Sequence, residues 1–548
     1  QYAESWNVSR EIFLNMWRWI RMDSIFLQKM REDCRWYQMM SLIYGGIFTF
    51  CLYRNMSGIT VFLMTVMLVG ISVLFLKRAG IILQKGTVRY FAGILLLGIS
   101  TVLTDNGFFH FFNRVGIILL FMMAMAHQIY RDTEWGFTEY VKKFFIMTGT
   151  WITSVGELFH SVGKKFFIMT GTWITSVGEL FHSVGKKSSG NKAEIFGEEN
   201  ARKLKRKKTG AVLTGILAAA LMLIIVMPLL MMSDEIFSQI FFSIFHFLSP
   251  LEILRKIDLG NITGILFTFL FGMISLYAFF AGLFRMNLGG KDKKTQGNSN
   301  HVTGITFTGI MAFVYVLYSG IQILFLFFRL DTGLPEGVTY SQYAHQGFWQ
   351  LLFVSIINFV TVLVCNRIFE EDRVLKLLLT VISVCTCIMI LSAGYRMILY
   401  VSEYNLSFLR ILVLWFLAVL MIIFFGVIYS IYRKEFRLFR YMTAVVSVCY
   451  ILFSFSRPDA LIADYNIRNV QTSKDTDIRY LMYSLSWDAA PRIAQISLEV
   501  LDDSQLAEEM ESYFREIRKG SEEMSLRKWN YSRSEAAKAA KEWLSNRE

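Results

Sequence analysis

The chain has 548 residues, of which 54% are hydrophobic and 18% charged, and its formal net charge is +13. The apolar residues are gathered in blocks of roughly 20, the length that crosses a bilayer as a helix, which excludes an ordinary soluble globular protein. The blocks show no strand-like alternation and the basic residues lie mainly between them, which excludes a membrane β-barrel and argues against nucleic-acid binding. We therefore predict an all-α, polytopic integral membrane protein.

The apolar blocks predict eleven transmembrane helices followed by a small C-terminal helical domain. Residues 1–38 form an N-terminal segment, 39–127 hold spans one to four, and 211–456 hold spans five to eleven. A long loop at 128–210 separates the two groups, and the polar tail at 457–548 forms the C-terminal domain. The predicted spans are 39–53, 57–76, 89–104, 107–127, 211–232, 259–285, 304–328, 348–366, 377–401, 409–431 and 441–456.

The distribution of basic residues orients these spans. Alternate short loops carry most of the Lys and Arg, and such loops stay in the cytoplasm. The basic loops hold Lys77, Arg78, Lys85, Arg89, Arg285, Lys291, Lys293, Lys294, Arg367, Arg373, Lys376, Arg433, Lys434, Arg437 and Arg440. The other loops, marked by Arg54, Asp105 and Glu403, are poor in basic residues and are expected outside. The N-terminus is then cytoplasmic, and eleven crossings place the C-terminal domain outside.

The loop at 128–210 contains a tandem repeat. The sequence KKFFIMTGTWITSVGELFHSVG occupies 142–163 and recurs without change at 164–185. Its apolar residues follow helical three-and-four spacing, which predicts an amphipathic helix. One interpretation is an amphipathic helix on the cytoplasmic leaflet whose lysines contact anionic lipid. The other is a recent duplication in a loop that tolerates insertions, or an artefact of cloning or sequence assembly. The basic residues concerned are Lys142, Lys143, Lys164, Lys165 and the run at 202–208.

Charged and polar side chains inside the spans are candidate functional residues, because a charge at the bilayer centre costs about 3 kcal/mol or more. Arg396 lies near the outer end of the ninth span, two helical turns before Glu403. Two interpretations stay open: Arg396 reaches the headgroups and pairs with Glu403, or it is a buried gating or anion-binding group. Asn113 and Arg114, in the outer part of the fourth span, are weaker candidates of the same kind.

The motifs of common catalytic sites are missing from this sequence. It contains no His-Glu-x-x-His, nucleophile-elbow or glycine-rich dinucleotide motif, so no catalytic, metal-binding or cofactor-binding residue is assigned. We expect no cofactor, and an enzymatic function is not favoured.

The polar tail predicts four short helices. The first is expected to bury Ile478, Leu481, Met482 and Leu485. Ser486 is the expected cap of the second, and the third is expected to begin at Ser504 and end at Gly520. Ser532 and Glu535 predict a capping box for the fourth. The domain that they form is either a spacer or a binding module for an envelope component or partner.

Three stretches occur in an order that is typical of a known family. They are LPEGVTYSQYAHQGFWQLLFVSIIN at 334–358, AGYRMILYVSEYNLSFLRI at 393–411, and DIRYLMYSLSWDAAPRI with RKWNYSRSEA in the tail. In these stretches the chain resembles the bacterial multi-pass membrane proteins grouped as domain of unknown function 4173, related to 4153. His345 stands where that family usually has arginine, and Asn405 and Ser407 replace its glycine and threonine. The resemblance implies a bacterial plasma-membrane protein and supplies no reaction.

The resemblance also implies a shared surface at the outer rim. The predicted functional surface consists of Tyr343, Gly347, Phe348, Arg396, Tyr400, Glu403, Tyr404 and Arg410. We expect a membrane-embedded sensor, scaffold or regulatory partner whose outer surface meets envelope ligands or an unidentified protein. The alternative is a transporter or lipid-handling protein, although the spans show no internal repeat of the kind many transporters have.

Overall fold

The computed structural model describes residues 32–55, 57–130, 139–154, 259–285, 301–324, 340–433, 435–470, 478–496, 504–522 and 524–547, with Lys29 and Trp135. Every element within these ranges is helical, and nine of their helices, 18 to 32 residues long, are long and apolar enough to cross a membrane. The all-α, polytopic membrane fold is confirmed. The chain divides into two compact units, Gln1–Tyr53 with Phe145–Asn287 and Arg54–Phe144 with Leu288–Glu548.

The helices follow the apolar blocks and then the polar tail. They are α1 (Cys34–Leu52), α2 (Ile59–Arg78), α3 (Lys85–Leu103), α4 (Gly107–Ile129), α5 (Leu259–Arg285), α6 (His301–Gln322), α7 (Tyr340–Ile368), α8 (Arg373–Tyr404), α9 (Phe408–Tyr432), α10 (Leu438–Phe455), α11 (Pro458–Val470), α12 (Ile478–Tyr483), α13 (Ala490–Ile493), α14 (Ser504–Glu522) and α15 (Tyr531–Ser545). Short 3-10 turns at Trp487–Ala489 and Leu526–Lys528 precede α13 and α15.

Nine of the eleven predicted spans correspond to α2 through α10. The predicted span at 39–53 is helical within α1, which is not among the candidate spans, and the one at 211–232 lies outside the described residues. A count of eleven is therefore not confirmed. The largest boundary difference is at α7, which starts eight residues before the predicted span. Helix α8 starts four residues early because the Asp372 side chain accepts a hydrogen bond from the Val374 backbone N–H at 2.7 Å.

In the first unit, α1 packs closely along α5. A Cβ atom at Gly45 would lie 2.9 Å from Cβ of Met273, so the two backbones approach more closely than a larger residue would allow. At the end of α1 the Tyr53 hydroxyl donates to Oδ1 of Asn261 at 2.7 Å. A small residue and a polar side chain together fix this pair of helices.

The first copy of the repeat is helical at residues 145–154 of the first unit. Trp151 donates from Nε1 to the carbonyl of Ser275 in α5 at 2.9 Å, and Met147 is buried. The predicted apolar stripe of this copy therefore packs on a helix of the same unit. Residues 155–185, which include the second copy, lie outside the described residues.

Two of the lysines predicted to contact anionic lipid lie in the second unit. Lys142 is exposed, whereas Lys143 is buried with its ammonium 4.2 Å from the ring centroid of Trp135. Contact of Lys142 with a lipid headgroup stays a prediction. Lys164, Lys165 and 202–208 lie outside the described residues.

The second unit contains two sets of packed spans, α2–α4 and α6–α10, joined where α10 packs on α3. Apolar side chains fill the interior of the second set; they include Val362, Leu379, Ile382, Met389, Leu417 and Phe424. Large apolar side chains on the opposite faces are exposed, among them Phe313, Leu377 and Phe425. These exposed faces are the surfaces that lipid would cover.

The C-terminal helices share one apolar core, which extends onto the start of α9. Its fully buried members include Ile462, Leu481, Ala489, Ile493, Met510 and Phe514, and Leu406, Phe408 and Ile411 pack against them. The predicted buried face of Ile478, Leu481, Met482 and Leu485 is confirmed. Because α9 contributes to this core, the tail is packed on the spans.

The ends of two tail helices differ from the predicted ones. Ser486 precedes the Trp487–Ala489 turn, but its hydroxyl makes no cap hydrogen bond and instead donates to Oδ2 of Asp459 at 2.6 Å. The helix that begins at Ser504 continues past Gly520 to Glu522. In the first case the hydroxyl donates to a distant carboxylate instead of accepting from a local backbone N–H.

The predicted capping box of the last helix is wrong. The cap of α15 is Asn530, whose Oδ1 accepts from the Arg533 backbone N–H at 3.3 Å. Ser532 is the second residue of the helix, and its hydroxyl lies 3.4 Å from Nη2 of Arg457. The helix begins earlier than Ser532 and Glu535 indicate, because Asn530 is held by contacts outside α15.

Candidate functional site

A cluster of polar side chains joins the tail helices to the ends of the spans in the second unit. We name this set the junction cluster. It consists of Thr104, Asp105 and Asn106 between α3 and α4, Arg457 between α10 and α11, Asp459 in the first turn of α11, Ser486 and Asp488 before α13, and Asn530 and Arg533 at α15. Each segment is a loop or a helix terminus, where backbone groups lack helical partners and need polar ones.

Asp488 connects the tail with two of these segments. It is 1% exposed, and its Oδ2 accepts a hydrogen bond from the Thr104 hydroxyl. Its Oδ1 accepts from the Asp105 backbone N–H at 3.0 Å and lies 3.7 Å from Nη2 of Arg457. A buried carboxylate is tolerated only when it is paired and hydrogen-bonded, and these three partners provide both.

Asp459 is the second buried carboxylate of the junction cluster. Its Oδ2 accepts from Asn106 Nδ2 at 2.8 Å, from the Ser486 N–H at 3.0 Å and from the Ser486 hydroxyl, whereas Oδ1 has no hydrogen-bond partner among the described residues. Burial raises the pKa of Asp459 above its ordinary value. The hydrogen bonds from Ser486 and Asn106 oppose this rise, and the nearby Asp488 carboxylate adds to it.

This raised pKa predicts a pH-dependent loss of stability that Asp459→Asn removes. A carboxyl group with a higher pKa in the folded state stabilises the fold below its unfolded pKa, and that contribution is lost as pH rises through the folded pKa. We expect the wild-type Tm to fall relative to that of Asp459→Asn as pH rises from the unfolded pKa to the folded pKa of Asp459. This pH interval starts near 3.8, the ordinary pKa of an aspartate side chain. The measurement is thermal unfolding in detergent at a series of pH values.

The matched control for this prediction is Asp464→Asn in the same helix, α11. Asp464 is partly exposed and forms ion pairs with Arg468 and Arg492. The Tm of Asp464→Asn should decline with rising pH as the wild-type Tm does. A decline that persists unchanged in Asp459→Asn would contradict the assignment to Asp459.

Asn530 and Arg533 attach α15 to the end of α3. Asn530 is fully buried, and its Nδ2 donates to the carbonyls of Thr101 at 3.1 Å and Thr104 at 2.8 Å. These carbonyls belong to the last turn and C-cap of α3, which lack helical donors. Arg533 donates from Nε to Oδ1 of Asp105 at 2.7 Å. The last tail helix thus completes the hydrogen bonding of a membrane-spanning helix.

The weaker candidates of the fourth span lie next to the junction cluster. His110 is buried, with Nε2 3.8 Å from Oδ1 of Asp105. Asn113 is fully buried and donates to the Ser100 hydroxyl at 3.0 Å, and Arg114 donates from Nε to the His110 carbonyl at 2.7 Å. Polar contacts therefore continue from the junction cluster into the adjacent ends of α3 and α4.

Arg396 lies inside the bundle and not at its surface. It is 9% exposed, and its Nη2 donates to Oε1 of Gln322 at 3.2 Å. The Ser392 hydroxyl donates to the same oxygen at 2.6 Å. Glu403, the predicted partner, is exposed. This position corresponds to the buried interpretation, and a role in gating or anion binding stays a prediction.

Four other predicted residues meet where α8 ends and α9 begins. The Arg410 guanidinium lies 4.3 Å from the Tyr400 ring centroid, and that ring lies 5.1 Å from the ring of Tyr404. Arg410 also donates to the carbonyls of Tyr404 and Asn405. Asn405 has φ 62° and ψ 176°, a conformation that is essentially restricted to glycine, so the replacement of glycine here keeps the turn at a cost in backbone strain. Exposed Glu403 and Tyr404 complete this part of the surface.

The remaining predicted surface residues lie at the start of α7. The backbone there is helical, and the side chains of Tyr343, Gly347 and Phe348 lie outside the described residues. Their membership of the surface stays a prediction. In the described part of the chain no group of three His, Cys, Asp or Glu side chains is placed to hold a metal ion.

The sequence interpretation missed the junction cluster. Asp488, Asn530 and Arg533 lie within the two tail stretches SLSWDAAPRI and RKWNYSRSEA, which carried the family resemblance. Asp488 follows Trp487, and Asn530 lies between Trp529 and Tyr531, and these aromatic neighbours would have been a usable signal of a buried contact. Their partners Thr104 and Asp105 are more than 380 residues away, and no local pattern connects them.

The fold and the junction cluster define an all-α polytopic membrane protein whose tail helices are part of the same compact unit as eight of its nine described candidate spans. The chain belongs to the family of domain of unknown function 4153, whose family model matches residues 91–496. The match confirms the relation to group 4153, and the resemblance to the related group 4173 is not confirmed. The match includes Asp105, Asp459 and Asp488 and ends before Asn530. No curated protein and no solved structure matches the chain.

Proposed function

We propose that this protein is a sensor or scaffold of the bacterial plasma membrane whose tail helices face outward. The observation that carries the proposal is the junction cluster, in which buried carboxylates and amides attach the tail to the ends of α3 and α10. A tail held in this way moves together with the spans. A ligand or partner that binds the tail or the adjacent rim would therefore change the packing of the spans directly.

The outward placement is supported by the loops that the tail contacts. The tail hydrogen-bonds to residues 104–106 and to Leu406, and both loops belong to the set that is poor in Lys and Arg. Basic loops such as 433–437 lie at the opposite ends of the same spans. The positive-inside rule therefore supports a tail outside the cytoplasm, and this argument does not depend on the number of spans in residues 155–258.

The test uses an impermeant thiol-reactive photo-crosslinker on intact cells that carry the full chain without its native cysteines. Ser402→Cys adds a thiol at an exposed position on the predicted rim, beside Glu403. We expect it to take up the reagent and, after illumination, to form an adduct with an envelope component. Glu435→Cys, exposed in a basic loop, is the matched control and should stay protected until the membrane is opened.

Two results would contradict the proposal. Protection of position 402 in intact cells would place the rim and the tail in the cytoplasm. Labelling without any adduct, together with solute or lipid movement by the purified protein in proteoliposomes, would favour the alternative of a transporter or lipid-handling protein.

The described spans give the alternative less support. Their buried polar side chains form contacts between helices, such as Asn358 Nδ2 to the Thr386 hydroxyl at 2.9 Å. Such contacts are typical of helix association in membranes. The longest span, α8, is continuous from Arg373 to Tyr404, whereas many transporters bind substrate at interrupted helices.

A further inference from the structure

The loop between α14 and α15 is attached to the first turn of a membrane-spanning helix. The Ile59 backbone N–H donates to the carbonyl of Trp529 at 2.9 Å. The carbonyl of Arg527 accepts from the Thr60 hydroxyl at 3.0 Å and from Nδ2 of Asn55 at 3.1 Å. Three hydrogen bonds thus fix residues 527–529 at the start of α2.

The same loop is fixed on its other side by the end of α3. Asn530 follows the loop directly and donates to the carbonyls of Thr101 and Thr104. Thr101 lies within α3, three residues before its C-cap. The loop is therefore held between the start of one span and the end of the next.

These attachments place the loop at the edge of the hydrocarbon layer. Helix α2 has 20 residues, and at about 1.5 Å per residue it matches the roughly 30 Å of a bilayer core. Ile59 therefore lies at the boundary between acyl chains and headgroups. The backbone of residues 527–529 lies within one hydrogen bond of that boundary.

The side chains of this loop have the chemistry of a membrane interface. Leu526 is 88% exposed, an unusual state for leucine, and no described part of the protein covers it. Lys528 is exposed beside it, and Trp529 and Tyr531 follow. An apolar side chain next to a basic and two aromatic ones is the composition found where a protein enters the headgroup region.

We propose that residues 525–531 are an interfacial anchor that fastens the tail domain to the phospholipid bilayer. Leu526 enters the acyl-chain region, and Lys528 lies among the lipid phosphates. The occupant is lipid and not a protein, because the loop lies at bilayer depth beside α2, a candidate span whose apolar residues Ile59 and Leu63 are exposed on the surface that lipid would cover. This anchor is independent of the proposed function and of the side of the membrane on which the tail lies.

The first test is a nitroxide spin label at Leu526→Cys in the full chain, without its native cysteines, in nanodiscs of phosphatidylethanolamine and phosphatidylglycerol. We expect collisions with oxygen to outnumber those with a water-soluble nickel chelate. The control label at Lys541→Cys, exposed on α15, should show the reverse, with an oxygen-to-nickel ratio several-fold lower. A label at 526 that prefers the nickel chelate would overturn the proposal, because these discs contain no partner protein that could act as the occupant.

A second measurement avoids the apolar label. In the same nanodiscs, Leu526→Asp should increase hydrogen exchange of the amides in 524–530, because a carboxylate cannot enter the acyl chains. Leu526→Met, which keeps an apolar side chain, should leave exchange unchanged. Equal exchange in Leu526→Asp and the wild type would also overturn the anchor.

Discussion

Replacing Asp488 with alanine is expected to lower the free energy of unfolding by about 3 to 5 kcal/mol. The substitution leaves the Thr104 hydroxyl and the Asp105 backbone N–H without their buried acceptor, and each such group costs about 1 to 3 kcal/mol. It also removes the carboxylate that faces the Arg457 guanidinium. The measurement is SDS-induced unfolding in mixed micelles, followed by helical circular dichroism.

The matched control is an ion pair on the surface of the same tail domain. Arg479 donates to both carboxylate oxygens of Glu509, at 2.8 and 3.2 Å, and both side chains are partly exposed. Glu509→Ala should cost at most about 1 kcal/mol because solvent screens such pairs. If Asp488→Ala costs no more than this control, the junction cluster does not hold the tail to the spans.

Local sequence patterns predicted the helices of this protein well. The spans follow from apolar length, and the buried face of α12 follows from the spacing of Ile478, Leu481, Met482 and Leu485. Both depend on neighbours within a few residues, where helical geometry fixes which side chains share a face. The same reasoning could not establish a count of eleven spans, because α1 is less apolar than the others and residues 211–232 are not described.

The polar contacts were predicted poorly, because their partners are distant in sequence. Ser486 was expected to cap the adjacent helix by accepting from a backbone N–H, yet its hydroxyl makes no such bond and donates to the buried carboxylate of Asp459. One of the two interpretations of Arg396 paired it with Glu403 on its own helix, whereas it donates to Gln322 on α6. In both cases a tertiary partner replaced the local one, and only the packing of helices brings that partner into reach.

Gly58→Ala is expected to lower the free energy of unfolding by about 2 to 5 kcal/mol, the largest loss expected for a substitution outside the junction cluster. Gly58 precedes α2 with φ 86° and ψ −166°, a conformation that is essentially restricted to glycine. A Cβ atom there would also lie 2.6 Å from the carbonyl oxygen of Trp529, the acceptor of the Ile59 N–H. That oxygen belongs to the backbone and cannot move aside without breaking the hydrogen bonds that hold the loop to α2.

Gly70→Ala separates this effect from a general intolerance of α2 to substitution. Gly70 lies within the same helix, and a Cβ atom there would have no neighbour within 4 Å. Since alanine favours a helix over glycine by about 1 kcal/mol, Gly70→Ala should leave stability unchanged or raise it. SDS unfolding reports both variants, and hydrogen exchange should increase at residues 524–530 in Gly58→Ala alone. Equal behaviour of the two variants would mean that the close contact between α2 and the tail loop contributes nothing to holding the tail against the spans.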